Sequence, residues 1–396
     1  MSVMTGDGLQ AEILRGESLF LENKVDEAFE VFESVSRHDP QNVEALNNLG
    51  VVLNARKEFG AAIDTFARVL RLQSDHAQAA FNLISNYLAT SDWKAAEQFF
   101  YKYSDIFSAE DGHVIANAIM ELKCSPQGFA SLITLPLTIT HRGGQHTLKL
   151  LLDIEKYSQR IIWNHLKGGD IYEWETLQYI TDILEEGDCF VDVGAHIGYF
   201  ALFASRFVGT GGQVIAIEPE VQNAVHLLKH VSINHIENMC VIRSAVGADN
   251  TTTEFFVNAD NDGGHALWDP GLHPFNEKTR DYGVARKTRL ETLDRILKSN
   301  AVRPVKAMKI DTEGAELEVV KGALTYLSEN EVPHVICEIN KFGLSRMGAG
   351  EKALRGVMHD LGYEAFWLDS KEGIPVKLNR DEYIESAYVF NMLFKK

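Results

Sequence analysis

The sequence has few prolines, few cysteines and no long apolar run. Only 9 of its 396 residues are proline, which excludes collagen-like chains and most low-complexity segments. No stretch approaches the roughly 18 consecutive apolar residues that a membrane-spanning helix needs. Basic residues are also in the minority, and the net charge is −18. Such a surface repels phosphate groups, so we expect no nucleic-acid partner. The absence of a long apolar run predicts no membrane span.

The four cysteines are far apart and form no CxxC pair. Cys189, Cys240 and Cys337 lie among apolar neighbours, and Cys124 precedes a Ser-Pro step. This usage is typical of buried, reduced thiols rather than of a disulfide framework or a metal site. The N-terminal segment also lacks a basic region followed by an apolar run. We therefore expect a cytoplasmic protein.

A period of 34 residues runs through the first part of the chain. The recurring positions hold a glycine, an alanine and an aromatic residue, namely Gly16 and Gly50, then Ala28, Ala62 and Ala96, then Phe32, Phe66 and Phe100. This pattern resembles the tetratricopeptide repeat, in which each unit is a helix pair that buries its apolar face only against its neighbours. We expect three such repeats over residues 9–110.

The role of the repeats stays open at this point. Asn48 and Asn82 occupy equivalent positions, where their amides could hydrogen-bond a peptide backbone. Binding of a protein or peptide partner and self-association are therefore both compatible with the pattern.

A second domain is predicted after a short linker. Residues 111–130 lose the repeat register and contain the helix-breaking stretch Cys-Ser-Pro-Gln-Gly, so we interpret them as a linker. Residues 131–141 and 146–154 resemble two strands around a glycine turn. Leu177, Ile180 and Ile183 then follow a helical pattern.

A glycine turn between two apolar strands predicts a nucleotide-type site. The run from Cys189 reads Cys-Phe-Val-Asp-Val-Gly-Ala-His-Ile-Gly, and a second apolar run over 213–217 ends at Glu218. A strand, turn, helix and strand in this order bind an adenosine-containing ligand at the carboxyl ends of the strands. The acid after the second strand can accept hydrogen bonds from both ribose hydroxyls.

The turn itself favours a cationic ligand. It lacks the G-x-G-x-x-G pattern that suits a pyrophosphate, and instead Asp192 stands two residues before Gly194, with Gly198 further on. An acid suits the sulfonium and ammonium groups of S-adenosylmethionine (SAM). A nicotinamide or flavin cofactor and a turn without any ligand are the alternatives.

A later motif resembles that of one enzyme family. Residues 309–316 read Lys-Ile-Asp-Thr-Glu-Gly-Ala-Glu, and Glu-Pro at 218–219, Ala-Val-Gly at 245–247 and Asn-Asp-Gly-Gly at 261–264 precede them. This order resembles the FkbM family of SAM-dependent methyltransferases. The resemblance covers about 131–396 and implies an α/β Rossmann-like methyltransferase with a doubly wound, mainly parallel sheet, preceded by the all-α tetratricopeptide solenoid.

The resemblance also implies individual cofactor-binding residues. These are Asp192, Gly194 and Gly198 in the SAM loop, Glu218 at the ribose, Ala245 beside the adenine and Glu173 near the methionine end. The family usually has Asn where this chain has His196, so His196 is included in the cofactor site without an assigned role. The family methylates hydroxyls of sugars, glycolipids or secondary metabolites, which implies a small-molecule or glycan acceptor.

Two acids are the predicted catalytic residues. Asp311 and Glu313 follow an apolar strand and precede a glycine and a helix, so they lie where the cofactor binds. A carboxylate there can take the proton of an attacking hydroxyl. His265, in a polar segment at 248–300 that we interpret as a substrate lid, is the alternative base. Glu338, which follows an apolar strand predicted over 332–337, is a possible further wall. We predict no metal ion, although Asp311 and Glu313 could hold a divalent cation.

The sequence thus predicts a SAM-dependent O-methyltransferase with N-terminal repeats. One rival is an interaction scaffold whose second domain binds SAM without catalysis. The other is a nicotinamide oxidoreductase, which the absence of G-x-G-x-x-G disfavours.

Overall fold

The computed structural model describes residues 6–103, 106–108, 111–112, 114–115, 118–119, 132–142, 144–282, 284–330, 332–368, 374–385 and 389–396. By internal contacts the chain divides into two units, Met1–Ala130 and Ser131–Lys396. Most of the predicted linker, including Cys124, lies outside the described residues. None of the described helices is long and apolar enough to cross a membrane.

Three helix pairs form the described core of the first unit. They are α1 (Gly6–Leu21), α2 (Val25–His38), α3 (Val43–Ala55), α4 (Phe59–Leu72), α5 (Ala77–Ala89) and α6 (Trp93–Tyr103). A Cβ atom added at Gly16 or Gly50 would lie 2.7 or 2.6 Å from the ring of Phe32 or Phe66. The repeating glycine and phenylalanine therefore mark the contact between the helices of one pair, and the predicted repeats are confirmed.

One of the two repeated asparagines is already engaged within the array. The side-chain nitrogen of Asn48 donates a hydrogen bond to Oε1 of Glu17 at 2.9 Å. The side-chain nitrogen of Asn82 is buried and has no hydrogen-bond partner among the described residues. The two equivalent positions therefore differ in their environment.

The second unit begins with the predicted hairpin. Strands β1 (Leu132–His141) and β2 (Gly144–Asp153) pair antiparallel along their whole length. Two helices follow, Tyr157–Lys167 and Trp174–Ile183.

The remaining strands form two further sheets. They are β3 (Cys189–Val193), β4 (Gln213–Ile217), β5 (Met239–Ile242), β6 (Ala245–Val246), β7 (Thr251–Val257), β8 (Val284–Glu291), β9 (Val305–Ile310), β10 (His334–Asn340), β11 (Glu364–Trp367), β12 (Val376–Lys377) and β13 (Val389–Lys395). The larger sheet has the order β12-β11-β13-β10-β9-β3-β4-β5. Strands β10, β9, β3, β4 and β5 run parallel, whereas β13, β11 and β12 join antiparallel.

Helices cover both faces of this sheet. They include Tyr199–Phe207, Val221–Ile233, Leu293–Ser299, Glu316–Lys321, Leu324–Glu329, Lys341–Arg346 and Glu351–Asp360. A further short helix, Glu277–Tyr282, packs against the 3-10 turn Pro270–Leu272 instead. In β3, Cys189 and Val191 belong to one apolar cluster, and Phe190 between them belongs to another. Successive side chains of a strand point to opposite faces, so each face has its own core. This is the doubly wound α/β arrangement that the sequence predicted.

Three details differ from the sequence-based predictions. The segment at 248–300 is not simply a polar lid, because β7 and β8 within it pair with each other and form a three-stranded sheet with β6. Its β-branched and aromatic run at 251–257 favours a strand. Glu338 lies inside β10 rather than after the strand. Cys240 is exposed, not buried, because β5 is the edge strand of the large sheet.

Candidate active site

A cavity opens where the parallel strands β3, β4 and β9 end. Eight of the predicted site residues line it, namely Glu173, Gly194, His196, Glu218, Ala245, His265, Asp311 and Glu313. The other two have different surroundings. Asp192 is buried within β3 in register with Lys309 of β9, and Gly198 packs against Leu227.

The turn after β3 needs glycine for steric reasons. Gly194 has φ of +83°, and an added Cβ atom would lie 1.7 Å from the carbonyl oxygen of Asp311. Gly198 has φ of +87°, and an added Cβ atom would lie 2.1 Å from Cδ1 of Leu227. The backbone of the turn therefore lies directly against the loop that carries the predicted catalytic acids.

Glu218 is fixed at the end of β4. Its Oε2 accepts a hydrogen bond from the backbone nitrogen of His196 and its Oε1 accepts one from Glu220, both at 2.8 Å. Burial raises the pKa of Glu218 to about 7, and the charge of His196 opposes that shift. Each oxygen keeps acceptor capacity for a further donor, because a carboxylate oxygen has two lone-pair sites.

His196 has a partner that sequence reasoning did not predict. It adopts φ of +51°, and its Nε2 lies 3.2 Å from Oδ2 of Asp262 and 3.4 Å from Oγ of Ser158. The Asn-Asp-Gly-Gly element had been noted as a motif, but the pattern gave no indication that its acid contacts the turn after β3.

A buried lysine stands at the centre of the acidic wall. Lys309 is 1% exposed, and its Nζ donates to Oδ2 of Asp311 at 2.6 Å. Nζ also lies 4.5 Å from the ring centroid of Phe200. Burial lowers the pKa of Lys309, but the charges of Asp311, Glu173 and other acids raise it more, so the ammonium stays protonated.

Three carboxylates converge beside this lysine. Asp311, Glu313 and Glu338 each offer one oxygen, and these oxygens lie within 4.8 Å of one another. Burial and the charge of Asp311 raise the pKa of Glu313 to about 8 and that of Glu338 well above its usual range. Protons are therefore retained in this cluster near neutral pH, and the same oxygens could hold a divalent cation.

Glu313 is held in an unusual backbone conformation. It has φ of +54°, its carboxylate accepts from Nδ2 of Asn340 at 2.6 Å, and its carbonyl accepts from Nε1 of Trp268 at 2.7 Å. Oε1 of Glu316 accepts from the backbone nitrogens of Thr312 and Gly314. Glu316 therefore stabilises the turn on which Asp311 and Glu313 stand.

Glu173 approaches the same wall from another element. It precedes the helix Trp174–Ile183 with φ of +47°. Its carboxylate accepts from Nδ2 of Asn391 at 3.2 Å, and it lines the cavity. The predicted place of Glu173 near the cofactor site is compatible with this position.

His265 lines the cavity, but its hydrogen bond argues against a role as a base. Its Nδ1 accepts from the backbone nitrogen of Asn258 at 2.9 Å. Burial lowers the pKa of His265 to about 3, so the ring is neutral. A neutral imidazole that accepts at Nδ1 carries its proton on Nε2, and His265 therefore presents a donor to the cavity rather than an acceptor.

The fold and site define a doubly wound α/β domain with a cavity at the carboxyl ends of its parallel strands, preceded in the sequence by helical repeats. Residues 192–365 match the model of the methyltransferase FkbM domain. Residues 19–80 and 58–110 match two models of the tetratricopeptide repeat. The chain therefore contains an FkbM methyltransferase domain with N-terminal tetratricopeptide repeats.

Solved structures are also similar to part of the chain. The type III secretion chaperone SycD of Yersinia enterocolitica, in complex with a peptide of the translocator YopD, is 14% identical over 31% of this chain and 98% of its own, with a TM-score of 0.29. The first tetratricopeptide domain of Spaghetti (RPAP3), bound to an HSP90 peptide, is 16% identical over 32% and 100%, with a TM-score of 0.29. No curated protein sequence matches the chain significantly.

Proposed function

We propose that the protein is a SAM-dependent O-methyltransferase that methylates a hydroxyl of a saccharide, glycolipid or secondary-metabolite acceptor. The observation that carries this proposal is the Lys309–Asp311 ion pair at the end of β9, inside a cavity that also contains Glu218. Glu218 is the proposed acid for a ribose, and Asp311 in the same cavity is the proposed acid for proton transfer.

The residues present fit SAM. Because Gly194 packs against the backbone of Asp311 and has no side chain, it lines its side of the cavity with backbone atoms alone. We expect Glu218 to hold the ribose hydroxyls, Ala245 to contact the adenine and Glu173 to face the ammonium group. When bound, SAM supplies a methyl group attached to a sulfonium, and an acidic wall suits that positive charge.

Asp311 is the proposed general base. The hydrogen bond from Lys309 occupies its Oδ2 and leaves Oδ1 to accept the hydroxyl proton while the acceptor oxygen bonds to the methyl carbon and the carbon–sulfur bond breaks. The ammonium of Lys309 fixes the orientation of the carboxylate through this charge-assisted hydrogen bond. A positioned base of this kind contributes about 10²–10⁴-fold to the rate.

Calorimetry with SAM and a methyl-transfer assay test the proposal together. We expect wild type to bind SAM, Glu218→Ala to weaken binding, and Asp311→Asn to bind SAM but to transfer little labelled methyl into a fractionated extract. Asp360→Asn, which changes an acid with a 79% exposed side chain, is the matched control. Absence of SAM binding refutes the cofactor, and unchanged turnover in Asp311→Asn refutes the base.

The same assay separates the alternatives. A scaffold with a non-catalytic second domain would bind SAM without labelling any acceptor. Addition of EDTA tests the metal prediction, and we expect unchanged transfer because Lys309 already places a positive charge beside Asp311. Mass spectrometry of the labelled product identifies the acceptor.

We also propose that the repeats bind a protein partner or mediate self-association. Leu21 at the end of α1 is 86% exposed, and a small apolar cavity beside it is lined by Phe20, Val51 and Val52. Light scattering of wild type and Leu21→Ser separates self-association from partner binding, because only self-association changes the mass of the isolated chain.

A further inference from the structure

His196 joins two parts of the cavity wall. Its backbone nitrogen donates to Oε2 of Glu218 at 2.8 Å, and its Nε2 lies 3.2 Å from Oδ2 of Asp262. The side chains of His196 and Asp262 are 20% and 10% exposed. One largely buried histidine therefore connects the proposed ribose acid to the loop at 261–264.

Asp262 holds this loop against two helices. Its Oδ1 accepts from the backbone nitrogen of Ser158 at 2.8 Å, and its Oδ2 accepts from Nε2 of Gln159 at 3.0 Å. Both residues lie in the first turn of the helix Tyr157–Lys167. The backbone oxygen of Asp262 also accepts from Nδ2 of Asn223 at 3.0 Å. The position of the loop therefore depends on Asp262 and on the groups that face it.

The pair is charged below about pH 6.5. Burial opposes ionisation of Asp262, but the hydrogen bonds from His196 and Ser158 hold the pKa of that carboxyl well below its usual range. Burial also lowers the pKa of His196, but the hydrogen bond and charge of Asp262 raise it above the usual value of 6.5. An imidazolium therefore faces a carboxylate in a largely buried position.

Other titratable groups face His196 from each neighbouring element. Glu218 at the end of β4 and Asp311 at the end of β9 both raise the pKa of His196. His265 in the lid segment and His230 on the helix Val221–Ile233 are neutral, because burial lowers their pKa values to about 3 and about 4. The positive charge of His196 is therefore set mainly by three carboxylates.

We propose that His196 is a positioning residue of the cofactor cavity. Its imidazolium holds the loop at 261–264 in place through its ion pair with Asp262, and we call this ion pair the latch. This proposal rests on the proposed function, which assigns SAM as the ligand of the cavity. Because the folded pKa of His196 lies above the unfolded value, the latch is complete below about pH 6.5 and is lost as the pH rises through the folded pKa. Loss of the charge loosens the loop and weakens SAM binding.

Calorimetry across pH tests the latch. We expect the SAM affinity of wild type to fall relative to that of His196→Asn as the pH rises from roughly 6 to 9, because the imidazolium loses its charge. His196→Asn keeps a neutral hydrogen bond and a residue that tolerates the left-handed conformation, so its affinity should lack the part of the pH dependence that comes from His196. Asp262→Asn should behave in the same way. His359→Asn, at a histidine with a 53% exposed side chain, should keep the wild-type profile.

Hydrogen exchange gives a readout that does not depend on SAM. We expect the amides at 258–265 of wild type to lose protection as the pH rises, after correction for intrinsic exchange, and those of His196→Asn to show no such change. Protection that does not depend on pH in wild type overturns the latch even if SAM binds. Absence of SAM binding together with pH-dependent protection overturns the proposed cofactor and leaves the latch.

Discussion

Lys309 and Asp311 form a 2.6 Å ion pair at the carboxyl end of β9. The two side chains are two residues apart and lie on the same side of the chain, as alternation along a strand requires. The lysine is 1% exposed and the aspartate 22%. The ammonium is therefore part of the domain interior, whereas the carboxylate reaches the cavity.

Replacement of this lysine should damage catalysis and shift its pH dependence. In Lys309→Met we expect turnover to fall about 10²-fold or more, and the free energy of unfolding to fall by about 3–5 kcal/mol. The charge of Lys309 lowers the pKa values of Glu313 and Glu338, so the acid limb of the pH–rate profile should move to higher pH. Lys321→Met, at a largely exposed lysine paired with Glu318, is the control. An unmoved acid limb contradicts the assigned role.

Two glycines have similar φ angles but different surroundings, so alanine substitutions at them distinguish backbone strain from steric clash. Gly194 and Gly169 have φ of +83° and +80°, but an added Cβ atom meets the backbone of Asp311 only at Gly194 and finds nothing within 4 Å at Gly169. Gly169→Ala should cost about 1–2 kcal/mol for the left-handed conformation. Gly194→Ala should cost clearly more and abolish SAM binding. Chemical denaturation and calorimetry compare the two, and equal costs refute the close approach.

Glu316 should make stability depend on pH. Burial raises the pKa of Glu316 from 4.5 to about 7. Its contribution to the free energy of unfolding is therefore complete below the pKa of the unfolded chain and is lost as the pH rises through about 7. Glu316→Gln keeps an acceptor for Thr312 and Gly314 and does not titrate. Relative to this variant, wild type should lose up to about 3 kcal/mol of unfolding free energy between pH 4.5 and 8.

Urea denaturation at both pH values measures this difference. Glu318→Gln, two residues along the same helix and 29% exposed, is the control and should run parallel to wild type. If the unfolding free energy of Glu316→Gln also changed with pH as that of wild type does, Glu316 would not titrate in this range.

Alanine substitutions at two glycines of the repeats should have opposite effects on stability. An added Cβ atom at Gly50 would lie 2.6 Å from the ring of buried Phe66, whereas at Gly60 it would meet nothing within 4 Å. Gly50→Ala should destabilise the repeats by about 1–3 kcal/mol through overpacking. Gly60→Ala, in helix α4, should stabilise them by up to about 1 kcal/mol. Thermal unfolding measures both, and a shift of the same sign contradicts the predicted contact.

Local sequence patterns predicted those parts of the site that follow a regular element. The apolar runs before Glu218 and Asp311 indicated buried parallel strands, and parallel strands bring their carboxyl ends to one edge of a sheet. The acids after them therefore had to lie close together. The turn at Gly194 was predictable for the same reason, since a glycine between strand and helix indicates a close approach.

Contacts between distant segments were not predictable from such patterns. A lysine is usually exposed, and only the position of Lys309 in a central parallel strand, buried on both faces, could have indicated otherwise. Asp262 meets His196 across 66 positions of sequence, and no periodicity encodes that contact. The tautomer of His265 follows from a single backbone donor in Asn258, which depends on the course of the loop.

The β1–β2 hairpin determines where an expression fragment of the catalytic unit should begin. His230 donates from Nδ1 to the carbonyl of Ile197 and accepts at Nε2 from the backbone nitrogen of Leu151, both at 2.8 Å. Asn234 exchanges two hydrogen bonds with the backbone of Lys149. A fragment cut at residue 192, where the family match begins, would remove the β2 partners of these two side chains and would uncover the apolar surface beneath the hairpin. The shortest fragment worth purifying therefore starts before Leu132.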